Sequence, residues 1–180
     1  MSIPTKPLPA MLFMGILAAD WSGLDDLRRA LVDRFGPLQI ESDWMDFGFT
    51  DYYNEELGSP VKRLAMVFTD LVDQARLAEI KLWTNDLEIE KARPDGSRVF
   101  NLDPGLLTLE RLVLATGKNF AHRIYLGHGI FGDLTLMYKK GGWQAQPWTF
   151  ADYAHADMQE FLTRVRQVYK QYVDEITGRI

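Results

Sequence analysis

"VFNLDPGLLTLERLVLATGKNFAHRIYLGHG" (residues 99–129) places Asn101, Asp103, Lys118, His122, Arg123 and His128 in a stretch otherwise rich in apolar residues. Its reading decides where a core sheet would end. Pro104-Gly105 suits the two central positions of a type II turn, and a proline restricts the residue before it, here Asp103, to extended backbone. On that reading "RVFNL" (98–102) is a strand that stops at the turn. Thr108 then caps a short helix, 109–116, that ends at Gly117.

Upstream, "MLFMGILAA" (11–19) is the most apolar run. It is far shorter than the roughly 20 residues of a membrane span. Lys6 is the one basic residue before it, which makes a poor signal peptide, so residues 10–18 are expected to form a buried strand. Ser22 and Asp25 resemble a capping box ahead of Leu24, Leu27, Leu31 and Phe35, which recur at helical spacing; Gly36-Pro37 stops that helix, 23–35. Two strands are expected next, 38–49 and 61–69, separated by turn residues ending in Gly58-Ser59-Pro60. A second helix, 74–91, carries Leu77, Ile80, Trp83 and Leu87 on one stripe and ends before Pro94-Asp95-Gly96.

The order over residues 10–102 is β-α-β-β-α-β, which predicts an α+β fold with a ferredoxin-like core: a mainly antiparallel sheet and both helices on one face. Residues 103–180 are expected to extend it with hairpins and a long helix. "HRIYLG" (122–127), "IFGDLTLMYKK" (130–140) and "WQAQ" (143–146) read as strands, joined at His128-Gly129 and Gly141-Gly142. Met158, Phe161, Leu162, Val165, Val168, Tyr169 and Tyr172 form a wide stripe on a helix at 154–176, read as core. The whole of 1–180 is expected to be one domain.

Composition narrows the function. With 47% hydrophobic and 12% aromatic residues a sizeable core is available, and with no cysteine there is no disulfide, thiolate zinc site or thiol catalysis. A formal charge of −5 gives no general pull toward nucleic acid. A cytoplasmic protein is the expectation.

"NLDPGLLTLERLVLATGKNFAHRIYLGHGI" and "PWTFADY" (147–153), with "FTDYYNEELGSPVKR" (49–63) and "LAEIKLWTNDLE" (77–88), resemble an uncharacterised bacterial family of stand-alone proteins, one of those catalogued as domains of unknown function. The resemblance runs from "LFMGIL" to the last helix, and departs from the family pattern where Ala151 stands in place of a proline. It implies a soluble bacterial protein and carries no known activity.

Function must then come from the residues. Asn101 and Asp103 share one face of a strand. Either Asp103 accepts hydrogen bonds from its turn, or a rigid turn holds its carboxylate at a site. Lys118 either satisfies a helix end or binds an anion. His122 and Arg123 open a strand on opposite faces. Asp51 and Tyr52 in "FTDYYNEE", with Trp148 in "PWTFADY", either anchor loops or stack a planar ligand. The expected site has Asp103 as general base and His122 as its acid/base partner, with Arg123, Lys118, Asn101, Tyr52, Asp51 and Trp148 binding the ligand. That ligand would be a small anionic or phosphorylated metabolite or a nucleotide; no metal is called, and no cofactor can be named. The alternative is a non-enzymatic interaction or homo-oligomerisation module. Signatures of P-loops, dinucleotide folds, zinc peptidases, two-histidine phosphoesterases and RNA-recognition strands are absent from the sequence.

Overall fold

The computed structural model describes residues 1–178. Strand β1 (Ala10–Ala18) is buried along its whole length and lies mid-sheet. Helix α1 (Leu24–Phe35) follows, burying Leu27, Leu31 and Phe35. Its capping box does not form: Ser22 N–H donates to Asp20 Oδ1 at 2.9 Å, and Gly23 occupies the cap position. Gly36 ends the helix at φ 89°, a conformation that favours glycine, and a Cβ there would meet the Asp70 side chain.

The expected strand 38–49 is two strands, β2 (Leu38–Glu41) and β3 (Met45–Asp46), both paired with β4 (Lys62–Val72). The reason lies at Ser42, whose hydroxyl accepts from Ala65 N–H at 2.9 Å and interrupts the ladder. Between β3 and β4 runs a single-turn helix, α2 (Asn54–Leu57). A 3₁₀ turn capped by Asp73 leads into α3 (Leu77–Glu90).

The opening stretch departs most from expectation. Pro104-Gly105 makes no turn. Both residues lie inside β5 (Asn101–Leu107), opposite Met14 and Phe13 of β1. The expected helix 109–116 is instead strand β6 (Arg111–Thr116). Thr108 N–H donates to Arg111 C=O at 3.0 Å, so the capping-like residues close a β-hairpin. Leu112 and Leu114 then belong to one core and Ala115 to the other, with Val113 packed beside it. A strand covered on both faces reads as a continuous apolar run, which sequence periodicity cannot separate from a helix.

Strands β7 (Arg123–Gly127), β8 (Ile130–Lys139) and β9 (Gly142–Ala145) complete an antiparallel sheet of order β2-β4-β1-β5-β6-β8-β7, with β3 beside β4 and β9 beside β8. Helices α1 and α3 share one core with Leu12, Met14 and Ile16 of β1, so both cover the same face. After the single turn α4 (Ala151–Ala154), the long helix α5 (Ala156–Thr177) covers the other face, packing Phe161, Leu162 and Val165 onto Met11, Phe13 and Val67. Among the described residues no helix is long and apolar enough to cross a membrane.

Candidate functional site

Strands β5 and β6 are joined by three register pairs, Gly105↔Leu114, Leu106↔Val113 and Leu107↔Leu112. Toward Asn101 and Thr116 they part. Gly105 is needed at the last pair, where a Cβ would come within 2.7 Å of Leu114 and 2.9 Å of the Val113 carbonyl. Pro104 comes next and has no N–H to leave unpaired on the open side. Leu102 follows, and helix α3 serves its main chain instead of β6: Leu102 N–H donates to Glu88 Oε1 at 2.6 Å, and Lys81 Nζ donates to Leu102 C=O at 2.6 Å.

The parting holds a cavity of about 580 Å³, within the range of small-ligand sites. Asn101 and Asp103 form one lip, and Ala115 to Lys118 form the other, with Arg123 and Asp133 beyond it. Lys81, Asn85 and Glu88 of α3 close one face; Tyr53, Arg63, Phe150 and Tyr153 close the other.

Beside Asp103 lies the most deeply buried charge, Arg63. Its Nη2 sits 2.6 Å from Asp152 Oδ2 and 3.8 Å from Asp103 Oδ2, and Nη1 donates to the Tyr153 hydroxyl at 3.1 Å. Its guanidinium also lies over the Tyr153 and Phe47 rings, 4.7 and 5.5 Å from their centroids. Burial opposes that charge, but Tyr153, Asp152 and Asp103 around it hold the arginine pKa above its ordinary value. Gly15 makes the arrangement possible, because a Cβ there would come within 2.6 Å of Arg63 Nη1 and 2.8 Å of the Tyr153 oxygen. Burial, with Asp103 nearby, pushes the Tyr53 hydroxyl up to about 12, so it stays a neutral hydrogen-bonding group.

A second ion cluster stands at the α3 side. Arg98 meets Glu56 through two hydrogen bonds, 2.6 and 2.7 Å, and reaches Glu88 Oε2 at 3.1 Å and Asn101 Oδ1 at 2.8 Å. The Arg98 hydrogen bond holds Glu56 below its ordinary pKa, whereas burial raises Glu88. Asn101 Nδ2 is buried without a partner.

The opposite lip is more open. Arg123 Nε donates to Asp133 Oδ2 at 2.9 Å and Nη1 to the Lys118 carbonyl at 2.9 Å. Lys118 Nζ donates to the Tyr52 hydroxyl at 3.1 Å, across the mouth from the α2 segment. Of the residues singled out by sequence, Asp103, Arg123, Lys118, Asn101 and Tyr52 therefore line one cavity. His122, Trp148 and Asp51 stand outside its lining. His122 stacks on Trp148, centroids 4.7 Å apart at 8°, with Nε2 3.1 Å from Asp133 Oδ2. Trp148 Nε1 donates to the Leu134 carbonyl. Asp51 accepts from Asn54 Nδ2 at 2.8 Å, which is turn chemistry at the start of α2. His128 sits at φ 55° in the β7–β8 turn. Since β6 replaces the short helix, Lys118 caps no helix terminus.

Sequence reading gave Arg63, Asp133, Glu88, Lys81 and Arg98 no place in the site. Gly15 carried a signal for the first: a lone glycine in a strand of large apolar residues marks close approach of another group. Lys81 and Glu88, seven apart within the apolar pattern of α3, marked the third and fourth. Among the described residues no cluster of His, Asp and Glu side chains has the spacing to hold a metal ion.

The sequence profile of Domain of unknown function (DUF4416) matches residues 8–169. The chain belongs to this family. The match runs from just before β1 into α5, so the parted strands and every cavity residue fall within the family's domain. No curated protein and no solved structure matches the chain.

Proposed function

We propose that the protein binds a small anionic metabolite, such as a phosphorylated compound or nucleotide, in the cavity between β5 and β6. One observation carries the reading: two strands of a single sheet part, and eight charged side chains from five elements and two loops converge on the gap, where α3 already satisfies the Leu102 main chain. Lys118 and Arg123 supply the anion's partners, Arg123 being held in place by Asp133 and the Lys118 carbonyl. Asp103 is the group placed to take a proton or a donor from the ligand. His122 takes a positioning role through Asp133.

The four strands β2-β4-β1-β5, mutually antiparallel with α1 and α3 on one face, support reading that half as ferredoxin-like. A bacterial setting belongs to the same proposal, supported by the family that the sequence resembles, with the cytoplasm as its default.

Thermal-shift screening against phosphorylated metabolites, nucleotides and carboxylates tests it. A ligand at 100 times its dissociation constant stabilises by about 2.7 kcal/mol, and Lys118→Ala with Arg123→Ala is expected to abolish that shift. A shift that survives both substitutions would put the ligand elsewhere. The second reading, a homo-oligomerisation module, rests on β7. This strand is a sheet edge and exposes Ile124, Tyr125 and Leu126. A concentration-dependent dimer lost on Tyr125→Lys would support it.

A further inference from the structure

We infer that the cavity is built for a zwitterion, a ligand with an anionic group at one end and an ammonium at the other. The inference rests on the proposed ligand site and names the chemical class it takes. Charge is distributed unevenly across the parting. On the β5 lip one guanidinium, Arg63, faces two carboxylates, and it commits to Asp152 at 2.6 Å rather than to Asp103 at 3.8 Å. Among the described residues the Asp103 carboxylate makes no hydrogen bond, Arg63 standing 3.8 Å away, although it is half-buried and lines the cavity. On the β6 lip the imbalance is reversed. Lys118 has the neutral Tyr52 hydroxyl and ring as partners, with no carboxylate within ion-pairing distance among the described residues. Arg123 shares its one carboxylate, Asp133, with His122.

Between the lips the charges cancel. Lys81, Glu88, Arg98 and Glu56 pair with one another and with the Leu102 main chain, so they have little left for a ligand. A bound molecule that covers Asp103 removes water from a carboxylate with no donor, which is costly unless the molecule brings a cation or a donor itself. The same molecule must bring an anion to Lys118. An amine-bearing phosphate or carboxylate does both. A simple anion does only the second.

The test uses matched probes with the full chain: aminoalkyl phosphates and ω-amino carboxylates with two to six methylenes, the same molecules without the amine, and their N-acetyl forms. Affinities are read by calorimetry. In the series that binds, one chain length is expected to bind at least tenfold more tightly than its amine-free and N-acetyl counterparts, and Asp103→Asn to erase that preference. Amine-free or N-acetyl probes binding as tightly as the amine would overturn the inference while leaving an anion site in place. So would glycerol phosphate matching the best amine, since hydroxyl donors would then suffice. If no probe of any kind binds, the ligand-site reading falls with it. The N-acetyl comparison uses the unaltered protein, so the result stands even where Asp103→Asn is poorly folded.

Discussion

Arg63 is the residue on which the site's geometry turns. Its charge is fully enclosed, and it is balanced by Asp152, Asp103 and two aromatic faces. Removing one partner of such a cluster leaves uncompensated buried charge, so Arg63→Met is expected to cost about 3–5 kcal/mol in urea denaturation. Adding Asp152→Asn is expected to restore part of it, and a double variant no better than the single would show that the pair does not act as a unit. Gly15→Ala probes the same spot from the sheet. Its methyl group has nowhere to go between the Arg63 guanidinium and the Tyr153 oxygen, and overpacking of this kind costs about 1–3 kcal/mol. A neutral Gly15→Ala would show that the cluster moves aside freely.

Among the elements, α5 was legible in sequence and β6 was not. Phe161, Val165 and Tyr169 recur at helical spacing, and the helix buries all three on the sheet. Phe161→Ala is expected to lower stability by about 3–5 kcal/mol; an unchanged melting temperature would mean the stripe is not core. The strand β6 escaped because "LVLA" is buried on both faces, which removes the alternation that marks a strand. The same physics hid how the site is built. With Pro104-Gly105 read as a turn, Asp103 ended a strand, whereas the proline in fact stands where a ladder opens. Asn101, Asp103, Lys118 and Arg123 could be picked out by their polarity in an apolar run, but their convergence depended on a strand parting that no local pattern records. The α2 segment is held to this region by Arg98–Glu56, and that pair carries a pH signature. Arg98 lowers the folded-state pKa of Glu56 below its ordinary value near 4.3, so the unfolded chain binds the proton first and the pair's stabilisation is present above that value. It is lost as pH falls toward the folded pKa. The stability difference between the native chain and Glu56→Gln, about 1 kcal/mol or less for a half-exposed pair, is expected to be full at pH 6 and to shrink below about pH 4. A difference constant down to acid pH would remove the ion pair from the account.

At the scale of the whole molecule, one sheet with helices on both faces parts in its middle between β5 and β6, and this parting is where the charges gather. The α1 and α3 layer and the α5 layer each cover a continuous apolar core, so the gap between β5 and β6 is not forced by a shortage of packing. Helix α3 turns polar side chains toward it, and the β6–β7 loop and the start of β7 bring Lys118 and Arg123 to its rim. The proposed function puts the ligand in this parting. Amide chemical-shift mapping during titration with a phosphorylated probe identified by thermal shift tests it most directly. The account predicts saturable shifts concentrated at residues 101–105, 114–118 and 123, with the β7 face and the outer side of α5 unaffected; shifts centred on Ile124–Leu126 or on α5, with the strand parting silent, would contradict it.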